Sequence, residues 1–253
     1  MFKGERDLSR ARGTKAQQRR QQQLEVANTI DFQKARQHQN RHIELRPKSR
    51  RQEALVLSLN DPQIPVVFAV GPAGSGKSYL AVLAALRDLR YGRCDRIVLT
   101  RPAVGVEDEQ HGFLPGDLNR KMEPWTRPIF DIIKEFYHPK DVARLVEDEV
   151  IEIAPLAFMR GRTFKNAWIV ADEMQNATPN QMKMLLTRIG EGSRIVVTGD
   201  IEQTDKNHTH NGLLDICERL KSNAKTGIAV CELGTQDVQR HPLIEHVLDL
   251  YKD

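Results

Sequence analysis

The run Gly71-Pro72-Ala73-Gly74-Ser75-Gly76-Lys77-Ser78 constrains this chain more than any other feature. It satisfies G-x-x-x-x-G-K-[ST] and stands between an apolar run ending at Val70 and an alanine- and leucine-rich stretch of helical character. Glycines let the backbone wrap around phosphate oxygens, so that successive N–H groups and the helix N-terminus direct positive charge at an anion. In this reading Lys77 reaches the β- and γ-phosphates of ATP and the Ser78 hydroxyl ligates Mg²⁺. The nucleotide contacts run from Gly71, Pro72, Ala73, Gly74, Ser75 and Gly76 through Lys77 and Ser78 to Tyr79. A plain Gly-rich strand-to-helix turn is the bland alternative, and the flanking strand and helix weigh against it.

Downstream, Trp168-Ile169-Val170-Ala171-Asp172-Glu173 reads as an apolar strand that delivers two carboxylates to its C-terminal end. Asp172 is the expected Walker-B acid of the magnesium shell, and Glu173 the general base that polarises an attacking water. The competing reading is an exposed acidic turn ahead of the helix at Pro179. A third block, Thr198-Gly199-Asp200-Ile201-Glu202-Gln203, follows the next strand, and Gln203 is the candidate sensor of the γ-phosphate. A solvated Gly-Asp turn is its alternative.

Around these motifs, β-rich runs alternate with helical stretches, which predicts an α/β P-loop NTPase with a largely parallel sheet flanked by helices. Strands are expected at Val66–Val70, Arg96–Thr100, Val150–Ile153, Ala167–Ala171, Arg194–Thr198 and Ile228–Cys231. Helices are expected at Arg50–Leu59, Lys77–Arg90, Met122–Tyr137, Pro139–Glu147, Pro179–Arg188, Gly212–Leu220 and Gln239–Tyr251. Right-handed crossovers would bring the motif loops to one edge of the sheet.

Charge divides the chain. Residues 1–50 hold 13 Lys or Arg against 5 Asp or Glu, so within a total of +4 the remaining residues carry −4. Residues 1–46 are accordingly expected to be a basic, Arg/Gln-rich extension with little packed structure, and residues 47–253 the catalytic domain. No run approaches the roughly 18 apolar residues of a membrane helix. The three cysteines, Cys94, Cys217 and Cys231, form no C-x-x-C pair, which argues against a disulfide framework or zinc site and for a reducing cytoplasm. His208 and His210 are a weak metal signal, better read as a polar loop. Trp125 and Phe130 are expected to pack a helix.

Taken together, the blocks resemble the PhoH-like ATPases, whose core is similar to that of superfamily one helicases. The resemblance covers residues 47–251. It rests on Gly71–Ser78, Thr100-Arg101-Pro102-Ala103-Val104, Gly112-Phe113-Leu114-Pro115-Gly116-Asp117, Arg160-Gly161-Arg162-Thr163-Phe164, Asp172–Asn176, Thr198–Gln203 and Arg240-His241-Pro242. Met174 stands where the Asp-Glu-x-Gln-Asn block usually has alanine, and His111 replaces an apolar residue. The resemblance implies ATP hydrolysis, a homo-oligomeric, hexameric ring, and action on RNA or another single-stranded nucleic acid. It also makes Gln52 look like the glutamine that reads adenine, with a surface glutamine as the alternative.

Arg240 is a candidate arginine finger, acting within the chain or from a neighbouring subunit, against a plain helix-start arginine. Arg101, Arg160 and Arg162 fall on loops suited to nucleic-acid phosphates, against solvated or structural charges. Three functions stay open: a ring ATPase acting on RNA or single-stranded DNA, an ATP-gated binding module, and a small-molecule kinase. Glu173 with Gln175-Asn176 favours activated water over the kinase.

Overall fold

The computed structural model describes residues 42–102, 118–203 and 211–239, with side chains of the 118–125 stretch left aside. In chain order the elements are α1 (Arg50–Asn60), β1 (Val66–Val70), α2 (Lys77–Arg90), β2 (Arg96–Thr100), α3 (Leu118–Lys134) and α4 (Pro139–Glu147). There follow β3 (Ile151–Ile153), β4 (Ala167–Ala171), α5 (Pro179–Leu186), β5 (Arg194–Gly199), α6 (Gly212–Ser222) and β6 (Ile228–Glu232). Short 3-10 turns occupy Leu156–Met159, Met174–Asn176 and Thr235–Asp237.

The strands form one sheet in the order β3-β2-β4-β5-β1-β6, and every pairing is parallel. Val67, Ala69, Ile97, Leu99, Trp168, Val170 and Val196 face a core shared with α1, α2, α3 and α4. Their neighbours Val66, Phe68, Val70, Val98, Ile169, Ile195 and Val197 face a second core closed by α5 and α6. Successive strand residues point to opposite faces, and both faces are covered, so these strands read as continuous apolar runs rather than alternating ones.

Local chemistry sets most boundaries. Ser49 caps α1 by accepting from the Gln52 N–H, Thr178 and Gln181 form a capping box on α5 with Pro179 in the first turn, and Asn211 caps α6. Helix α2 differs: its N-cap is Gly76, at φ 85°, and no side chain caps it. Its first N–H groups are therefore directed into the loop.

Two helices are shorter at their C-termini than the sequence pattern suggests. Helix α3 stops at Lys134 rather than Tyr137 because Glu135 and Phe136 donate three residues back, to Ile132 and Ile133, tightening the last turn. Helix α5 stops at Leu186 rather than Arg188, where the Arg188 N–H likewise turns to Leu185. Phe130 packs against the first core as expected. The Trp125 side chain, His208, His210, Arg240 and the helix expected to run on to Tyr251 lie outside the described residues.

Candidate nucleotide site

The phosphate loop joins β1 to α2 at the C-terminal edge of the sheet, between β5 and β6. Gly71 has φ 148° and its N–H donates to Gly199 O, 3.1 Å, tying the loop to the end of β5. A Cβ at Gly71 would be driven into the Leu233 carbonyl after β6, so the loop passes between its neighbours only because that residue has no side chain. Lys77 is buried, and its ammonium turns back on the loop, donating to Gly71 O at 2.6 Å and Pro72 O at 2.8 Å.

Gln52 is not a surface glutamine. It is buried under the loop, where its Nε2 donates to Ser75 O at 2.9 Å and its Oε1 accepts from Lys48 N–H at 2.7 Å. Those bonds make it a brace between the loop and the chain entering α1.

Two carboxylates stand opposite. Asp172 Oδ1 accepts from Ser78 Oγ at 2.7 Å and from Thr198 Oγ1 at 2.5 Å, joining α2, β4 and β5 at one oxygen. Glu173 has φ 54° and ψ 40°, a left-handed backbone uncommon outside glycine. Its carboxylate accepts from Gln175 Nε2 at 2.6 Å, while Gln175 Oε1 accepts from Asp200 N–H at 3.2 Å.

A cavity of about 630 Å³ opens in front of these groups. Its lining includes Gln52, Ala73, Gly74, Gly76, Lys77, Ser78, Tyr79, Asp172, Glu173 and Gln203, so these expected site residues converge. Gly71, Pro72 and Ser75 shape the loop behind it, with Ser75 fully buried. The Tyr79 hydroxyl bonds Glu135 at 3.2 Å, and burial, aided by that carboxylate, raises its pKa.

Arg101, Arg160 and Arg162 do not line the cavity. Arg162 is held by both oxygens of Glu152 and lies 4.4 Å from the centroid of the Phe164 ring, whereas Arg160 is exposed. Glu44, Arg46 and Lys48, which no motif singled out, do line the cavity, and Ile43 is buried in the first core at 2% exposure. Thr198 and Gln175 were legible only as members of their blocks.

The PhoH-like protein profile matches residues 44–252. The chain belongs to the PhoH-like family. A PhoH-like protein of Synechocystis sp. is 46% identical over 187 residues, 74% of this chain and 56% of that protein. One from Bacillus subtilis is 44% identical over 210 residues, 83% and 64% of the two chains, and Protein PhoH of Escherichia coli K12 is 40% identical over 189 residues, 74% and 52%. This PhoH-like chain thus spans less than two thirds of the length of each. Among solved structures, the Pif1 helicase from Candida albicans is similar with a TM-score of 0.38 at 15% identity, covering 80% of this chain and 43% of that one. The family, the parallel sheet and the loop together make this chain a P-loop NTPase. Among the described residues, no helix is long and apolar enough to cross a membrane.

Proposed function

We propose that this chain is a Mg²⁺-dependent ATP hydrolase that works as a homo-oligomeric, hexameric ring on RNA or another single-stranded nucleic acid in the cytoplasm. The observation that carries the hydrolase reading is the 2.7 Å bond from Ser78 Oγ to Asp172 Oδ1, which unites groups 94 residues apart beside the phosphate loop. The loop amides and Lys77 bind the phosphates, Gln52 braces the loop and faces the adenine end, and Gln203 reports the γ-phosphate.

The donor set suits Mg²⁺. Among the described residues the hydrogen-bond partners of the Asp172 side chain are the hydroxyls of Ser78 and Thr198. One carboxylate and one hydroxyl completed by substrate phosphates is a common magnesium arrangement. Ser78 and Asp172 would hold the ion, which when bound neutralises charge developing on the phosphates. Glu173, one residue beyond, takes the proton of the attacking water.

Arg240 is assigned the arginine-finger role, and a finger lent by a neighbouring subunit would make turnover depend on the ring. Residues 1–41, the part of the basic extension that precedes Ile43, are assigned a tether to nucleic acid, with Arg101, Arg160 and Arg162 adding phosphate contacts. Residues 47–253 form the ATPase unit together with the short lead-in at Ile43, Glu44 and Arg46, which packs on its core and lines its cavity.

Steady-state turnover with purified protein tests this reading. Lys77→Ala is expected to lose activity by about 10²-fold or more, and Glu173→Gln by about 10²–10⁴-fold while still binding ATP. Normal turnover in Glu173→Gln would remove the assigned base. RNA-stimulated turnover distinguishes the ring motor from an ATP-gated binding module, for which stimulation should be absent. Removing residues 1–41, which spares the cavity wall at Glu44 and Arg46, should lower RNA affinity and flatten its salt dependence if the extension is the tether.

A further inference from the structure

Resting on the hydrolysis proposed above, we infer that Gln175 is a positioning residue, coupling the Glu173 carboxylate to the end of β5 through one buried amide. Gln175 is 3% exposed on the 3-10 turn Met174–Asn176, whose three residues are all buried. Its Nε2 donates 2.6 Å to Glu173 Oε2, and its Oε1 accepts at 3.2 Å from the backbone N–H of Asp200. The amide can sit only one way round. Rotating it end for end would set its carbonyl against a carboxylate and its N–H₂ against an N–H.

Glu173 needs such a guide. Its left-handed backbone takes it off the path of β4, and a glutamate has enough rotatable bonds to carry its carboxylate away from a reacting water. Displacement of a catalytic group by about 1 Å can lower a rate about 10²-fold. A single directional bond from a buried donor removes that freedom.

The other end of the amide gives the arrangement its second consequence. β5 finishes at Gly199, where an added Cβ would stand 2.7 Å from Gln175 Oε1, so the strand leaves room for the amide to reach Asp200. Asp200 and Gln203 line the same cavity as Glu173. A shift of that segment as the γ-phosphate engages therefore reaches Glu173 through Gln175.

Two substitutions separate hydrogen bonding from packing. Gln175→Met keeps the length of the side chain and loses both bonds, and Gln175→Glu keeps the shape and the acceptor for Asp200 N–H but presents a carboxylate where Glu173 requires a donor. For each, kcat is expected to fall about tenfold to a hundredfold. KM for ATP and the Kd of a fluorescent non-hydrolysable ATP analogue should stay within about threefold.

Near-normal kcat in Gln175→Met would show that packing suffices and overturn the inference. Parallel losses of kcat, analogue affinity and melting temperature in both variants would assign a general structural role and overturn it as well. Glu173→Gln, run alongside, tells the two failures apart. If it turns over normally, the assignment of Glu173 as base falls and Gln175 has no base to position. If it is silent while Gln175→Met is active, only the role of Gln175 falls. Absence of turnover in the unmutated protein would remove the hydrolysis reading itself.

Discussion

Helix α2 begins beside one buried aspartate and ends beside another, and the two are treated in opposite ways. Asp172, 8% exposed, faces the first turn of α2 and accepts from the hydroxyls of Ser78 and Thr198. Asp88, 4% exposed, sits in the last turn, roughly 15 Å further along at 1.5 Å per residue. It is surrounded by donors: Arg87 Nη2 at 3.0 Å, Arg93 Nη1 at 3.3 Å and the Trp168 indole at 3.0 Å, while Arg194 lies over the face of that indole. A carboxylate removed from water needs compensating charge. The fold supplies it at Asp88 with arginines, whereas the hydrogen-bond partners of Asp172 among the described residues are hydroxyls, an arrangement that the Mg²⁺ proposed above would complete.

Between the two aspartates, the larger expected effect comes from Asp172→Asn. Turnover should fall by about 10³-fold, in the range of losing a metal's charge stabilisation. The melting temperature without nucleotide should hold or rise, since a buried charge has been removed and two hydroxyls keep an acceptor. A large drop in melting temperature would erase the contrast with Asp88.

Asp88→Ala should behave in the reverse sense. It leaves the buried Trp168 N–H without its acceptor and removes the partner of Arg87 and of the exposed Arg93, a loss of about 2 kcal/mol that lowers the melting temperature by about 4–8 °C. The rate per folded molecule should change by no more than about twofold, and a specific loss of turnover would show that the far end of α2 also serves the site.

A milder version of the contrast separates Arg162 from Arg160. Arg162→Ala breaks a partly exposed pair with Glu152 and its contact with Phe164, and should destabilise the fold by about 1 kcal/mol. Arg160→Ala should leave melting unchanged and reduce the salt slope of RNA binding by about one. Thermal melts and binding titrations at two salt concentrations check both.

The smallest effect concerns thiols. Burial, helped by Asp88 and then Asp95, pushes Cys94 up to about 12, and burial with Glu232 pushes Cys217 up to about 11. A raised thiol pKa means the protonated, unreactive form prevails at pH 8. Iodoacetamide at that pH should leave Cys94 and Cys217 unlabelled in the folded protein. In Asp88→Ala, Cys94 should label faster as the surrounding cluster loosens.

Much of this was readable from the chain because parallel strands covered on both faces announce themselves as apolar runs. Val66–Val70, Arg96–Thr100 and Ala167–Ala171 begin and end where their composition places them. The helix ends were less legible, since the last turns of α3 and α5 depend on whether a backbone N–H reaches three or four residues back. At the site, Lys77, Ser78, Asp172 and Glu173 were visible because their blocks have fixed spacing. Gln52 was placed by resemblance, but its burial under the loop and its bond to Ser75 were not visible, because they join residues 23 apart through packing.

What the sequence alone determined is the inventory: a phosphate loop, two adjacent carboxylates, a polar segment after the next strand, and the β/α alternation that carries all three to one edge. Composition and periodicity are local, so they survive without knowledge of contacts. The tertiary structure decided which groups stand beside each charge. Asp88 gathers arginines and an indole from α2, the following loop and β4, and Gln175 finds Glu173 on one side and Asp200 on the other. Those pairings depend on how strands 4 and 5 and helix α2 are brought together in space, and directional bonds over a few ångströms leave no periodic trace in the order of residues.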